Sequence, residues 1–291
     1  MEIIHLPVMV KEAMKVLNPI PGGTYVDATI GPGGHSEAIL TLIGTGGKLI
    51  GIDRDNEALR IVQGKLSDKR VILRKGNFSD MENLLNKDGI TEVDGILFDL
   101  GISMVQMKDI ERGLSFISDK RLDMRMDREQ PLSAWDVVKR YPVKELERIF
   151  REFGEERLSR KIAEAIVRER RIRPIDTCSA LSEIVERVYG GRGRVHPATK
   201  TFQALRIEVN KELEELQKGL DSSIRIMKKG GRLCVISYHS LEDRIVKHFI
   251  ARSSKEGSLK VITKKPLTPG SEEIRSNPSS RSAKLRAAER I

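Results

Sequence analysis

The chain has 291 residues, of which 39% are hydrophobic and 32% charged, and a formal net charge of +10; this is the composition of a folded chain long enough for a sizeable core. No apolar run reaches the roughly 18 residues of a membrane span, the first residues lack the basic-then-apolar pattern of a signal peptide, and Cys178 and Cys234 form neither a disulfide framework nor a metal spacing. The expectation is a cytoplasmic protein without a metal.

The charge is unevenly spread. Residues 1–108 carry 12 Lys and Arg against 14 Asp and Glu, residues 109–200 carry 21 against 17, and residues 201–291 carry 19 against 11. A slightly acidic first part joined to a basic remainder points to a polyanionic partner, most simply nucleic acid.

In chain order, residues 25–30, 48–53, 71–74 and 93–100 read as short strands. Helices start between them near Ser36, Asp55 and Ser79, the last two being suitable caps for free backbone N–H groups. Strands alternating with helices imply a parallel sheet with right-handed crossovers. The alternation stops after Asp99. No strand pattern follows until well past residue 200; instead residues 155–171 place Leu158, Ile162, Ala165 and Ile166 on one helical face, and a further helix opens at Asp176 or Thr177 and ends before Gly190. A long helix is expected from near Pro197 to about Lys229, stopped by Gly230-Gly231. The β pattern returns at residues 232–237, followed by a helix whose capping box would be Ser240 with Asp243. Residues 255–291 read as a loosely structured basic tail with one strand at 260–264. The division expected is 1–108 and 201–291 as an α/β domain, interrupted by a helical insert over 109–200.

The strand ends carry the chemistry. Gly31-Pro-Gly-Gly-His-Ser36 follows the first strand, and Asp53 ends the second. Glycines let a backbone approach a ligand closely, and a carboxylate at the second strand end can accept from a ribose diol. The glycine pattern alone fits NAD, FAD and S-adenosyl-L-methionine about equally. Phe78 after the third strand and Asp99 after the fourth separate them. An acid at the fourth strand end suits a cofactor bearing a sulfonium and an ammonium and would repel a pyrophosphate.

The motifs Asp27-Ala-Thr-Ile-Gly-Pro-Gly-Gly-His35, Phe98-Asp-Leu-Gly-Ile-Ser103 with Gln106, Leu122-Asp-Met-Arg-Met126, His196-Pro-Ala-Thr-Lys-Thr-Phe-Gln-Ala-Leu-Arg206, Ser237-Tyr-His-Ser-Leu-Glu-Asp-Arg244 and Asn277-Pro-Ser-Ser-Arg-Ser-Ala-Lys-Leu-Arg286 closely resemble the bacterial 16S ribosomal RNA cytosine-N4 methyltransferases, the RsmH or MraW family. The likeness runs through nearly the whole chain. Met104-Val105 stands where the family often has Ser-Pro, and Tyr238 where it commonly has Phe. The resemblance implies a Rossmann-like class I AdoMet-dependent methyltransferase sheet with an inserted all-helical domain. It implies S-adenosyl-L-methionine as cofactor, S-adenosyl-L-homocysteine as product, and the N4 amine of a cytidine in the decoding region of the small ribosomal subunit as methyl acceptor. Carried over residue by residue, its cofactor contacts fall on Gly33, Gly34, His35, Asp53, Phe78, Asp99 and Gln106.

For such a reaction the amine, methyl and sulfur must be held in line, and acceptors near the amine protons stabilise its developing positive charge. Candidates for this work are Asp99, Ser237, Tyr238 and His239, with Tyr238 stacking on an unstacked target base. Candidate RNA contacts are Arg121, Arg125, Arg192, Arg194, Arg281, Lys284 and Arg286; Asp123 with Arg125 has the alternative reading of an ion pair that locks its loop. The apolar helix faces of the insert leave room for a homodimer. Two rivals are a nicotinamide-dependent dehydrogenase, which leaves the basic second half without a role, and a non-catalytic RNA-binding assembly factor with a retained cofactor site.

Overall fold

The computed structural model describes residues 7–102, 106–107, 109–116, 118–191, 193 and 195–291. The chain divides into two compact units, Met1–Gly101 with Leu213–Ile291, and Ile102–Glu212.

The first unit is α/β. Its seven strands lie in the order β3-β2-β1-β4-β5-β7-β6, with β1 Thr24–Asp27, β2 Lys48–Asp53, β3 Val71–Lys75, β4 Val93–Asp99, β5 Met227–Ser237, β6 Leu259–Val261 and β7 Lys284–Arg290. The first five are mutually parallel, and β7 runs antiparallel between β5 and β6. Side chains alternate across the sheet. Val26, Ile50, Ile96 and Phe98 pack on one face against Met81 and Leu85 of α4 (Met81–Asn86), Leu216 and Leu220 of α10 (Glu212–Ile226) and Phe249 of α11 (Ser240–Lys255). Tyr25, Leu49, Leu97 and Cys234 pack on the other against Leu17 of α1 (Val10–Leu17) and Ile39 and Ile43 of α2 (Gly34–Ile43). Each such side chain taken fully out of water contributes roughly 1.5–3 kcal/mol. Helices on both faces explain why the central strands read as near-continuous apolar runs.

The second unit is helical: α5 Ala134–Arg140, α6 Val143–Glu152, α7 Ser159–Glu169, α8 Cys178–Tyr189 and α9 Thr199–Asn210. Val137, Phe150, Ile162, Ile166, Leu181 and Leu205 are fully buried in its core. Ser133 and Asp136 form a capping box at α5, Thr177 caps α8, and Gly190 ends it in the left-handed conformation.

Five expectations are corrected. The insert extends to Glu212, because α9 gives Phe202 and Leu205 to the helical core. The long helix from Pro197 is two helices, since Lys211 adopts φ 51° and its N–H closes α9. Gly230-Gly231 lies within β5 instead of stopping a helix. The basic tail is ordered: β7 buries Leu285, Ala287 and Ala288 beside β5. At the third crossover Asn77, not Ser79, is the cap; its side chain accepts from Ser79 N–H and opens a short 3-10 turn, Phe78–Asp80. Among the described residues no helix is long and apolar enough to cross a membrane.

Candidate active site

Strand order reverses between β1 and β4. At such a switch point the following chain segments diverge to opposite sides and open a crevice at the carboxyl ends of the strands. The side chains at these ends belong to the sheet unit.

The turn after β1 is shaped by glycine. Gly31 and Gly33 have φ 47° and 82°, a region open to glycine and strained for side chains with a Cβ. Gly33 is the N-cap of α2. Gly34 is required for a different reason than close approach to a ligand: a Cβ there would lie 2.7 Å from the ring of Pro7. Asp53 ties this turn to β2. Its Oδ2 accepts from Gly31 N–H at 3.0 Å and its Oδ1 from Asp55 N–H at 2.9 Å. Each oxygen keeps lone-pair capacity for a further donor. Burial pushes the Asp53 pKa up to about 6, against the lowering effect of the two backbone N–H groups.

Asp99, at the end of β4, is held from three sides. Its backbone N–H donates to Thr29 Oγ1 at 2.7 Å. Tyr238 Oη donates to its Oδ1 at 2.7 Å. His35 Nδ1 lies 3.6 Å from its Oδ2. The opposite ring nitrogen, His35 Nε2, is 2.9 Å from Val8 O; a carbonyl only accepts, so Nε2 carries the proton. Beneath them Asp27 is 1% exposed and accepts from Ser36 Oγ at 2.7 Å. Burial raises its pKa, and the adjacent His35 and the Ser36 hydroxyl oppose that rise. Burial, then the Asp99 charge, also pushes the Tyr238 phenol far above its ordinary value, so it stays a donor. Asp27 and Thr29 were missed as site residues. Asp27 opens the glycine motif in the sequence, but only the fold shows that it accepts from Thr29 N–H and that Thr29 in turn holds Asp99.

The segment after β5 differs from expectation. Ser237 is 2% exposed and its hydroxyl donates to the Lys284 carbonyl of β7, so it ties the end of β5 to β7. His239 is the N-cap of α11, and the capping box is His239 with Glu242, not Ser240 with Asp243. Glu242, 4% exposed, accepts from Tyr238 N–H at 2.8 Å. Tyr238 packs against Gly101, where a Cβ would sit 2.9 Å from its ring. Its hydroxyl donates to Asp99, which fixes the two side chains relative to one another. Phe78 is half-buried and meets Phe98 edge-on, with ring centroids 5.4 Å apart, where Gly219 leaves room. Gln106 lies in the helical unit and is buried.

The predicted RNA contacts sort by burial. Arg286 is 9% exposed and forks onto Asp243, with Nε at 2.6 Å; Lys284 joins the same carboxylate at 3.4 Å. Burial would raise the Asp243 pKa, but Arg286 and Lys284 carry it below the ordinary range. Arg286 is therefore an internal ion pair. Arg125 grips Asp123 through Nε and Nη2 at 2.7 and 2.8 Å and donates to the Arg128 and Gln130 carbonyls, which makes it the lock of its loop. Arg281 is exposed. Arg192 and Arg194 lie outside the described residues. Arg121 is exposed, with its guanidinium 4.9 Å from the centre of the Trp135 ring. Lys139, unforeseen in the sequence, places Nζ 4.1 Å from the same ring. Trp135 Nε1 donates to Asp176 at 2.7 Å, and Arg121, Trp135, Asp176 and Thr177 line a cavity of about 290 Å³.

Comparison with known proteins agrees with these features. The model of the MraW methylase family matches residues 2–291. A Persephonella marina protein named "Ribosomal RNA small subunit methyltransferase H" is 50% identical, with 99% of each chain covered. A protein of the same name from Caldicellulosiruptor saccharolyticus is 47% identical, again with 99% of each covered. Among solved structures, an rRNA methylase from Streptococcus thermophilus is 10% identical with a TM-score of 0.45, covering 97% of this chain and 93% of that one. With its family model spanning the sheet unit and the helical unit alike, the chain belongs to the MraW methylase family.

Proposed function

We propose that this protein transfers a methyl group from S-adenosyl-L-methionine to the exocyclic N4 amine of a cytidine in the decoding region of 16S ribosomal RNA, within the small ribosomal subunit. The observation that carries the reading is the pair of carboxylates, Asp53 and Asp99, at the ends of β2 and β4 on either side of the glycine turn after β1.

The residues present fit the cofactor. Asp53 is fixed by two backbone N–H groups and retains acceptor capacity suited to a ribose diol. Asp99 keeps 23% of its side chain exposed and offers negative charge to an ammonium or sulfonium. The glycine turn presents backbone without side chains in the way. When bound, the cofactor supplies an electrophilic methyl group.

The chain's own work is orientation and charge. Tyr238 and Thr29 fix Asp99, so its carboxylate needs no reorganisation when positive charge develops near it. The incoming amine needs no strong base, because a methylated cytosine amine is acidic enough to lose its proton to a weak acceptor. Arg121 and Lys139 on Trp135 form a cationic, aromatic surface suited to RNA backbone and bases. The test is equilibrium binding of S-adenosyl-L-methionine, followed by labelled-methyl transfer to small subunits and to free 16S RNA, with the product nucleoside identified by mass spectrometry. N4-methylcytidine as the product supports the reading; absence of transfer to both substrates overturns it.

A further inference from the structure

The first segment of the described chain, Pro7-Val8-Met9, lies across the start of α2. Pro7 occupies the space that a Cβ on Gly34 would fill. The Val8 carbonyl accepts the Nε2 proton of His35 at 2.9 Å. Met9 precedes α1 in the left-handed conformation, φ 54°, and supplies no side-chain cap to that helix. A non-glycine residue held there persists only when its surroundings dictate it. What holds it is remote in sequence: Glu273 Oε1 accepts from Met9 N–H at 2.6 Å. Glu273 lies in α12, Ser271–Ser276, between β6 and β7. It thus satisfies the backbone N–H of the residue that precedes α1 from another part of the chain and sets a carboxylate near the positive end of that helix.

These bonds form one series. Glu273 holds Met9, the adjoining Val8 carbonyl holds His35, and His35 presents Nδ1 to Asp99 Oδ2 at 3.6 Å. The Val8 bond sets which ring nitrogen faces Asp99: with the Nε2 proton committed to the carbonyl, Nδ1 is the atom turned to the carboxylate. Glu273 also adds to the charge around Tyr238, on the other side of Asp99.

We infer that Glu273 is a positioning residue for the cofactor site, acting through the Val8-Met9 segment to fix the ring orientation of His35 against Asp99, with Nε2 donating to Val8 and Nδ1 turned to the carboxylate. The inference rests on the reading of this crevice as the S-adenosyl-L-methionine site. It assigns the ordered tail a part beyond RNA contact: the α12 segment braces the loop at the opposite end of the sequence.

The test compares the full-length protein with Glu273→Ala and with Glu273→Gln, which keeps an acceptor oxygen. Affinity for S-adenosyl-L-methionine is measured by calorimetry, hydrogen bonding of the His35 ring nitrogens by nitrogen NMR of ring-labelled protein, and folding by the thermal midpoint. Glu273→Ala should weaken binding about tenfold, the scale of one lost charge-assisted hydrogen bond. The hydrogen bond from His35 Nε2–H to the Val8 carbonyl should then weaken, and Glu273→Gln should recover most of both. Unchanged affinity in a folded Glu273→Ala protein overturns the inference. So does weakened affinity with the His35 Nε2–H···O bond to Val8 unchanged, because the effect then bypasses the imidazole. If the wild type binds no S-adenosyl-L-methionine, the functional reading fails, while the NMR of the His35 ring nitrogens still reports separately whether Glu273 controls His35.

Discussion

Tyr238 Oη donates to Asp99 Oδ1 at 2.7 Å, joining the ends of two parallel strands that are 139 residues apart in the chain. The bond turns a flexible strand-end carboxylate into a fixed acceptor at the switch point. Tyr238→Phe keeps the ring against Gly101 and removes only the hydroxyl. Loss of a hydrogen bond to a charged group is worth about 1.5–3 kcal/mol; because the family commonly carries Phe at this position, kcat/KM for methyl transfer should fall by no more than the lower bound, about tenfold. Steady-state kinetics checks this, and circular dichroism should show an unaltered fold.

At the proposed cofactor site, the buried Asp53 carboxyl predicts an affinity that depends on acidity. Its pKa of about 6 means that the carboxylate is charged at neutral pH and gains a proton as pH falls through 6. Protonation converts one acceptor oxygen into a donor, so affinity for S-adenosyl-L-methionine should drop between pH 7.5 and 5.5. The stability effect has the opposite sign. Between the ordinary value of 3.8 and about 6 the folded state binds more protons than the unfolded one, so this group's contribution weakens as pH rises through that window. Calorimetric titrations at several pH values, with Asp53→Asn as the variant that abolishes this titration, check both signs.

Gly33→Ala tests the turn itself. Alanine at φ 82° is strained, and its Cβ would meet Leu66 at 3.2 Å. The stability loss should be roughly 1 kcal/mol, accompanied by weaker cofactor binding. Denaturant unfolding and calorimetry measure the two effects.

The Arg286–Asp243 pair is structural. Removing one partner of a buried pair costs about 3–5 kcal/mol, and the two side chains here are only 11% and 13% exposed. Arg286→Ala should therefore lower unfolding stability by roughly 3 kcal/mol. Arg121→Ala should behave conversely: stability and cofactor affinity hold, RNA affinity falls, and the slope of log affinity against log salt drops by about 1. Denaturant melts and RNA titrations at several salt concentrations separate the two arginines.

Local chemistry made much of this legible before the fold was seen. Residues 48–53 match β2 because an apolar run bounded by Gly and Asp can form little else in this pattern. Asp55 caps the next helix, Asn56–Lys65, as its side chain suggests. What stayed hidden depends on pairing between distant segments. Residues 284–290 contain Lys, two Arg and Glu and look solvated, yet β7 is buried because Asp243 neutralises Arg286. Ser240 and His239 compete to cap α11, and sequence spacing alone prefers the hydroxyl; the geometry selects His239 because Glu242 reaches back to its backbone N–H. Tyr238 is recognisable as a site residue from its place at a strand end. That its hydroxyl serves Asp99 follows only from β4 and β5 lying side by side.

The most direct test of the central claim is methyl transfer from labelled S-adenosyl-L-methionine to small ribosomal subunits lacking their own modification, with wild type and Asp99→Ala run side by side and the product nucleoside identified by mass spectrometry. The account predicts N4-methylcytidine at a single position with the wild type and none with the folded Asp99→Ala variant. Transfer undiminished in the variant, or no transfer by a wild type that binds the cofactor tightly, would contradict it.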